Sequence, residues 1–205
     1  MPDAGGEVLA TRVAFLELRD ERRLVREGYE LLDEKRMLLA TEIMRQLREN
    51  GRLTEVRRAL AADALAALEA AAHIHGFDDL TVEPPLALAT SLVVTRSQSF
   101  LGLRLDEAAF EQRPPDPASR ARPTTPEARA CAEAFRSLIG VDTELAACVG
   151  NLRRLIREYV RTERRARALE NVVLPEIDQS LRFIEEQLDA VDQEEAVRVR
   201  NAARA

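Results

Sequence analysis

Histidine, cysteine and acidic side chains at short spacing are where a chain builds a metal site or activates a nucleophile, and this sequence has few candidates. Glu69, His73 and His75 are its nearest approach to a metal-binding group. A di-iron helical bundle needs two Glu-x-x-His motifs plus carboxylates from other helices, and the Glu69–His73 spacing is wrong for that. Two histidines in a last helical turn before Gly76 read instead as favourable charges at a helix C-terminus. Cys131 and Cys148 form neither a CxxC pair nor a His/Cys cluster, so they read as small apolar residues packed on helices. No G-x-x-x-x-G-K-S/T loop is present to cradle phosphates. No Ser or Cys has a His/Asp arrangement to activate it. No catalytic, metal or cofactor-binding residue is assigned, no cofactor is expected, and the chain reads as a non-catalytic part.

What the sequence does carry is helical periodicity. Two stretches, 8–75 and 126–203, each hold a long apolar stripe, and the residues between them differ in composition. In the first arm Leu18, Val25, Tyr29, Leu32, Leu39 and Ile43 recur at spacings of three and four or their sum, with Arg22 and Arg36 between them. A second line, Leu24, Gly28, Leu31 and Leu38, runs beside it. Together they make a face wider than a two-stranded seam needs. Either other subunits cover the surplus or the seam drifts around the helix. The first arm is expected to stop at Gly76, which suits the residue past a helix end.

The second arm opens at Thr124-Thr125-Pro126-Glu127, where a threonine cap, an early proline and an acid agree on a helix start. Its expected seam includes Leu152, Ile156, Val173, Ile177, Ile184 and Leu188. Consecutive steps of four from Val173 to Leu181 interrupt the alternation, and Pro175 lies inside them. A kink is expected there, because proline deletes a backbone hydrogen bond and crowds the preceding turn. The stripe resumes on the same face, so the helix should bend and not end.

Charge suggests how the arms pair. Residues 152–168 carry a net +5 and residues 170–195 a net −8, while residues 12–26 carry +2 and residues 27–42 carry −3. An antiparallel pairing whose residue numbers sum to about 200 sets positive against negative in both blocks; a parallel one sets like against like. Exposed pairs contribute only about 0–1 kcal/mol each, so they select orientation and register more than they stabilise. The same register brings Gly28 near Pro175, where a missing side chain would let the first arm follow the kink.

The insert, 76–125, reads as a small head. Asp79–Glu83, Ala89–Thr95 and Phe100–Leu105 read as strands, with Arg96-Ser97-Gln98-Ser99 a turn between the last two. Residues 113–126 read as a Pro-rich linker, and residues 1–7 as a disordered start without a signal peptide. Val93, Val94, Phe100 and Leu101 belong either to the core of the head or to a docking edge. Arg153, Arg154, Arg157, Arg161 and Arg164 form either a solvated, cross-paired face or a track for acidic partner loops. The fold class expected is all-α dominated: a long antiparallel two-helix coiled coil with a small insert containing a short β-hairpin.

Composition fits that class. Of 205 residues 46% are apolar but only 4% aromatic, 32% are charged, and the net charge is −6. Ala and Leu dominate the apolar positions, as in helices that approach closely. A net acidic chain is a poor general nucleic-acid binder. No stretch approaches the roughly 18 apolar residues of a membrane span, so no direct membrane insertion is expected.

These residues resemble a known family. The run from Thr11 to Leu47, with Gly28-Tyr29, Leu31-Leu32, Lys35-Arg36 and Leu38-Leu39, is similar to the opening of the D subunit of V-type ATPases and ATP synthases. The second arm matches that family's pattern at Arg165, Ala168-Leu169-Glu170, Val173, Leu174-Pro175, Ile177, Ile184, Leu188 and Glu194-Glu195. Tyr29 stands where the family usually has His, the first arm is more acidic than typical, and a basic tail after Glu195 is missing. The resemblance implies a central-stalk rotor that transmits torque between the hexamer of A and B subunits and the membrane proteolipid ring. It implies contacts with the F subunit and the socket subunit (C/d), and a cytoplasmic location peripheral to the membrane. It would couple ATP hydrolysis or synthesis to ion transport, including hydrogen ion transport. The runner-up is another two-helix stalk or scaffold coiled coil, such as the flagellar export apparatus stalk protein, against which the strand-bearing insert counts.

Overall fold

A run of apolar residues at helical spacing, capped by a hydroxyl and free of proline, should form a long helix, and α1 spans Arg12–Val82 with a break at Gly76. Thr11 caps it, its Oγ1 accepting the Ala14 N–H at 3.1 Å. The computed structural model describes residues 10–82, 91–112 and 125–203. After α1 come β1 (Ser91–Phe100) and β2 (Leu103–Gln112), then α2 (Pro126–Ala168), a π-helical turn (Leu169–Val173) and α3 (Leu174–Ala202). The expected disordered 1–7 and the linker over 113–124 lie outside the described residues.

The chain divides into two units, one of Met1–Leu38 with Tyr159–Ala205 and the other of Leu39–Glu158. In the first, the start of α1 lies antiparallel to the end of the chain. Arg12 meets Asp192 at 3.2 Å, Arg22 meets Asp178 at 2.6 Å and Arg36 meets Glu163 at 2.7 Å. Each pair of numbers sums to about 200, the register that the charge blocks select. Thr162, Ala166, Ile177 and Ile184 are buried here, Ile184 completely. In the second unit the pairing is antiparallel too, with Arg57 on Asp142 at 2.7 Å. Leu39, Leu53, Ala64 and Ala71 of α1 are buried in it, with Ala128, Cys148 and Leu155 of α2. Alanine at three of these positions lets helices approach closely, and each fully buried leucine stabilises by about 1.5–3 kcal/mol.

Thr125 caps α2 as expected, its Oγ1 accepting the Ala128 N–H at 3.3 Å, with Pro126 the first helical residue. Several expectations are corrected. At Gly76 the regular helix stops as expected, at φ 69, ψ 165; what was not expected is that a further short helical stretch follows, to Val82. Asp79–Val82 is therefore helical, not a strand. The polar run Arg96–Ser99 is inside β1, not a turn. The β-hairpin turns at Leu101-Gly102, with φ 50 and 83, the positive pair of a type I′ turn, whose twist matches that of the strands. Serine is common in turns, but only glycine takes such φ freely.

The helix does continue past Pro175, by way of the π turn. The Leu174 N–H bonds to Leu169 O, five residues back, and both flanking residues keep right-handed helical angles. One extra residue in the turn relieves the crowding that proline imposes on the preceding carbonyl. Gly28 lies against this turn, not against Pro175. A Cβ there would meet Leu169 Cδ1 at 4.0 Å, ordinary contact, so packing does not demand glycine.

Candidate functional site

A buried amide side chain is costly unless its donor and acceptor are both used. Asn151, on α2 and only 4% exposed, uses both on one residue of β2. Its Oδ1 accepts the Asp106 N–H at 2.8 Å and its Nδ2 donates to the Asp106 carbonyl at 2.8 Å. Arg154, one turn on, donates to Asn151 Oδ1 at 2.7 Å and to Asp106 Oδ2 at 2.9 Å. The Asp106 carboxylate also accepts from Ser97 Oγ at 2.8 Å and Arg104 Nε at 3.0 Å. The Ser97 and Arg104 bonds, with the nearby guanidinium of Arg154, hold its pKa below the ordinary carboxylate range. On the other face of β2, Leu105 is buried.

Beside this junction, α1, α2 and the strands enclose a cleft of about 530 Å³, lined among others by Arg45, Glu49, Arg96, Glu107, Cys148 and Asn151. Cys148 donates its thiol to Gln46 O at 3.4 Å, and burial raises its pKa, which keeps the thiol protonated. Gln46 in turn donates to Glu42 at 2.9 Å. Among the described residues no group of three His, Cys, Asp or Glu is placed to hold a metal ion. His73 and Glu69 are exposed, and His75 Nε2 lies 2.6 Å from Thr125 Oγ1, tying α1 to the cap of α2.

Along the expected seam, Leu39, Ile177 and Ile184 are buried. Val25, Leu32, Ile43, Leu152, Val173 and Leu188 are half-buried. Ile156 is corrected: it is 48% exposed, and Leu155 is fully buried in its stead. The buried line of this part of α2 runs Cys148–Asn151–Leu155, one residue before the apolar line Val149–Leu152–Ile156. In this orientation Asn151 lies against the strand backbone.

The arginines do not form one set. Arg153, Arg157, Arg161 and Arg164 are exposed, whereas Arg154 is half-buried and bonded to Asp106 and Asn151. On the β-hairpin Val93 (54%) and Leu101 (38%) are exposed, and Val94 and Phe100 are half-buried. The second apolar line of the first arm stays uncovered: Leu24 and Leu31 are each 67% exposed. In the same unit the Glu163 carboxylate, bonded by Arg36, is held below its ordinary pKa. Tyr29 sits by Glu170, whose charge, followed by burial, raises the phenol's pKa. Asn151 and Asp106 were missed from sequence; the available signal was a polar residue at a seam position, three after Cys148 and four before Leu155.

A family model for the ATP synthase D subunit matches residues 14–204. The V-type ATP synthase D subunit of Anaeromyxobacter dehalogenans is 33% identical over 202 residues, covering 93% of this chain and 92% of that one. The A-type ATP synthase D subunit of Methanopyrus kandleri is 28% identical over 200 residues, 95% and 84% of the two chains. The V-type ATP synthase D subunit of Thermotoga neapolitana is 23% identical over 196 residues, 94% and 95% of the two chains.

Proposed function

The chain belongs to the family of ATP synthase D subunits, and from that premise we propose that it is the central-stalk rotor of a V/A-type ATP synthase or ATPase. In this role it performs no chemistry. It carries torque between a hexamer of A and B subunits and a membrane proteolipid ring, and so couples ATP turnover to ion transport. Its partners are the A, B and F subunits and the socket subunit (C/d) on the ring. Its location is cytoplasmic and peripheral to the membrane. Among the described residues no helix is long and apolar enough to cross one.

The observation that supports this reading best is the pairing of helices by spaced ion pairs, combined with apolar side chains left exposed on α1. Arg12–Asp192, Arg22–Asp178 and Arg36–Glu163 hold one unit in register, and Arg57–Asp142 does so in the other. A part that transmits torque must resist slippage of one helix along the other, and complementary charge penalises a shifted register. Exposed apolar residues such as Leu24 and Leu31 supply surface for other subunits to grip.

Co-expression with A, B and F subunits, followed by size-exclusion mass measurement and an ATPase assay, tests the proposal. A complex containing this chain, with turnover dependent on it, is expected. A chain that elutes alone and leaves ATPase activity unchanged would refute the rotor assignment.

A further inference from the structure

We propose that Asn151 is a positioning residue that clasps the β-hairpin to α2, and that this clasp sets the angle at which the hairpin is presented. The outer edge of a two-stranded sheet has unpaired N–H and C=O groups and needs a cover. At Asp106 that cover is a single side chain. The Asn151 amide pairs with both backbone groups of Asp106, as a neighbouring strand's peptide would, at 2.8 Å each. The amide cannot turn over without loss. Its Oδ1 also accepts from Arg154 at 2.7 Å, which leaves Nδ2 aimed at the Asp106 carbonyl. Arg154 then reaches the Asp106 carboxylate as well, so the backbone and side chain of one strand residue are held by two helix residues three apart.

The same contact accounts for the rotation of α2. The residues Val149, Leu152 and Ile156 offer more apolar area, yet Cys148, Asn151 and Leu155 face inward. A buried asparagine is tolerated at such a position only if its amide is satisfied, and β2 satisfies it. The hairpin's attachment and the facing of α2 are therefore one device. The hairpin's internal ladder, from Ser91↔Gln112 to Phe100↔Leu103, does not depend on it. Opening the clasp should release the hairpin as an intact arm and not melt it.

Hydrogen exchange on the full chain tests this, comparing wild type with Asn151→Leu and Asn151→Ser. Leucine keeps the volume without the amide, and serine is too short to span both groups. Two lost hydrogen bonds should speed exchange at the Asp106 amide by about tenfold or more, with the inward amides of β1 and β2 little changed. Spin labels at the Leu101 tip and at exposed Arg157 should give one narrow distance in wild type and a broadened one in both variants. Unchanged exchange and unchanged distance width would overturn the proposal. Loss of helical signal in both variants would also overturn it, by assigning Asn151 to the helix pair alone. The experiment needs no partner subunit, so its failure is separable from failure of the rotor assignment.

Discussion

An asparagine buried between helices costs stability unless both halves of its amide find partners, and at Asn151 the partners are the N–H and C=O of Asp106. Other polar side chains find partners in the same way. Gln46 accepts the Cys148 thiol and donates to Glu42, and Glu163 accepts from Arg36 and Arg167. Glycine at position 28 is different, because no contact or backbone angle requires it. Its Cβ position is 4.0 Å from the nearest atom of Leu169, in ordinary contact. Gly28→Ala should therefore stabilise the protein by about 0.5–1 kcal/mol, through reduced freedom of the unfolded chain and better helix propensity. Thermal unfolding followed by circular dichroism checks this; a lowered midpoint would mean the helices approach more closely at this point than that spacing allows.

For the helices, the decisive comparison is between neighbours on α2. Leu155 is fully buried and Ile156 is 48% exposed, although both have the apolar character of a seam residue. Leu155→Ala should cost about 2–5 kcal/mol, as large-to-small changes in a closed interior do. Ile156→Ala should cost about 0.5 kcal/mol or less, as surface changes do. Chemical denaturation of the two variants side by side gives the answer, and equal losses would return the seam to the Val149–Leu152–Ile156 line. At the π turn the element adapts instead of ending. A hydrogen bond reaching five residues back absorbs the extra residue, and the helix carries on through Pro175.

For the whole molecule, family membership and the exposed apolar residues of α1 bear on one another. Leu24 and Leu31 contribute little to the chain's own interior, being each 67% exposed. The double variant Leu24→Ser, Leu31→Ser should leave the unfolding midpoint nearly unchanged while reducing co-purification with A and B subunits several-fold. Retained co-purification would remove these side chains from the proposed gripping surface. Loss of the unfolding midpoint would place them in the chain's own packing. The four inter-helix ion pairs are exposed or half-buried, and each contributes little alone. Their value lies in agreement, since one register satisfies the three pairs of the first unit and another residue pair of the same sum serves the second.

Two helical arms, their antiparallel sense, their register and the capped start at Thr125-Pro126 were all legible in the residues, because periodicity, capping and blocks of charge are properties of short stretches or of simple sums along them. The strands were legible as a pair, but their turn was displaced, since positive φ at Leu101 is imposed by the twist of strands already paired and not by leucine itself. Only the folded arrangement decided which of two adjacent lines of α2 turns inward, and that Arg154 bonds to Asp106 and Asn151. Those choices depend on Asp106, forty-five residues from Asn151 in the chain. A hydrogen bond across that separation leaves no trace in local periodicity.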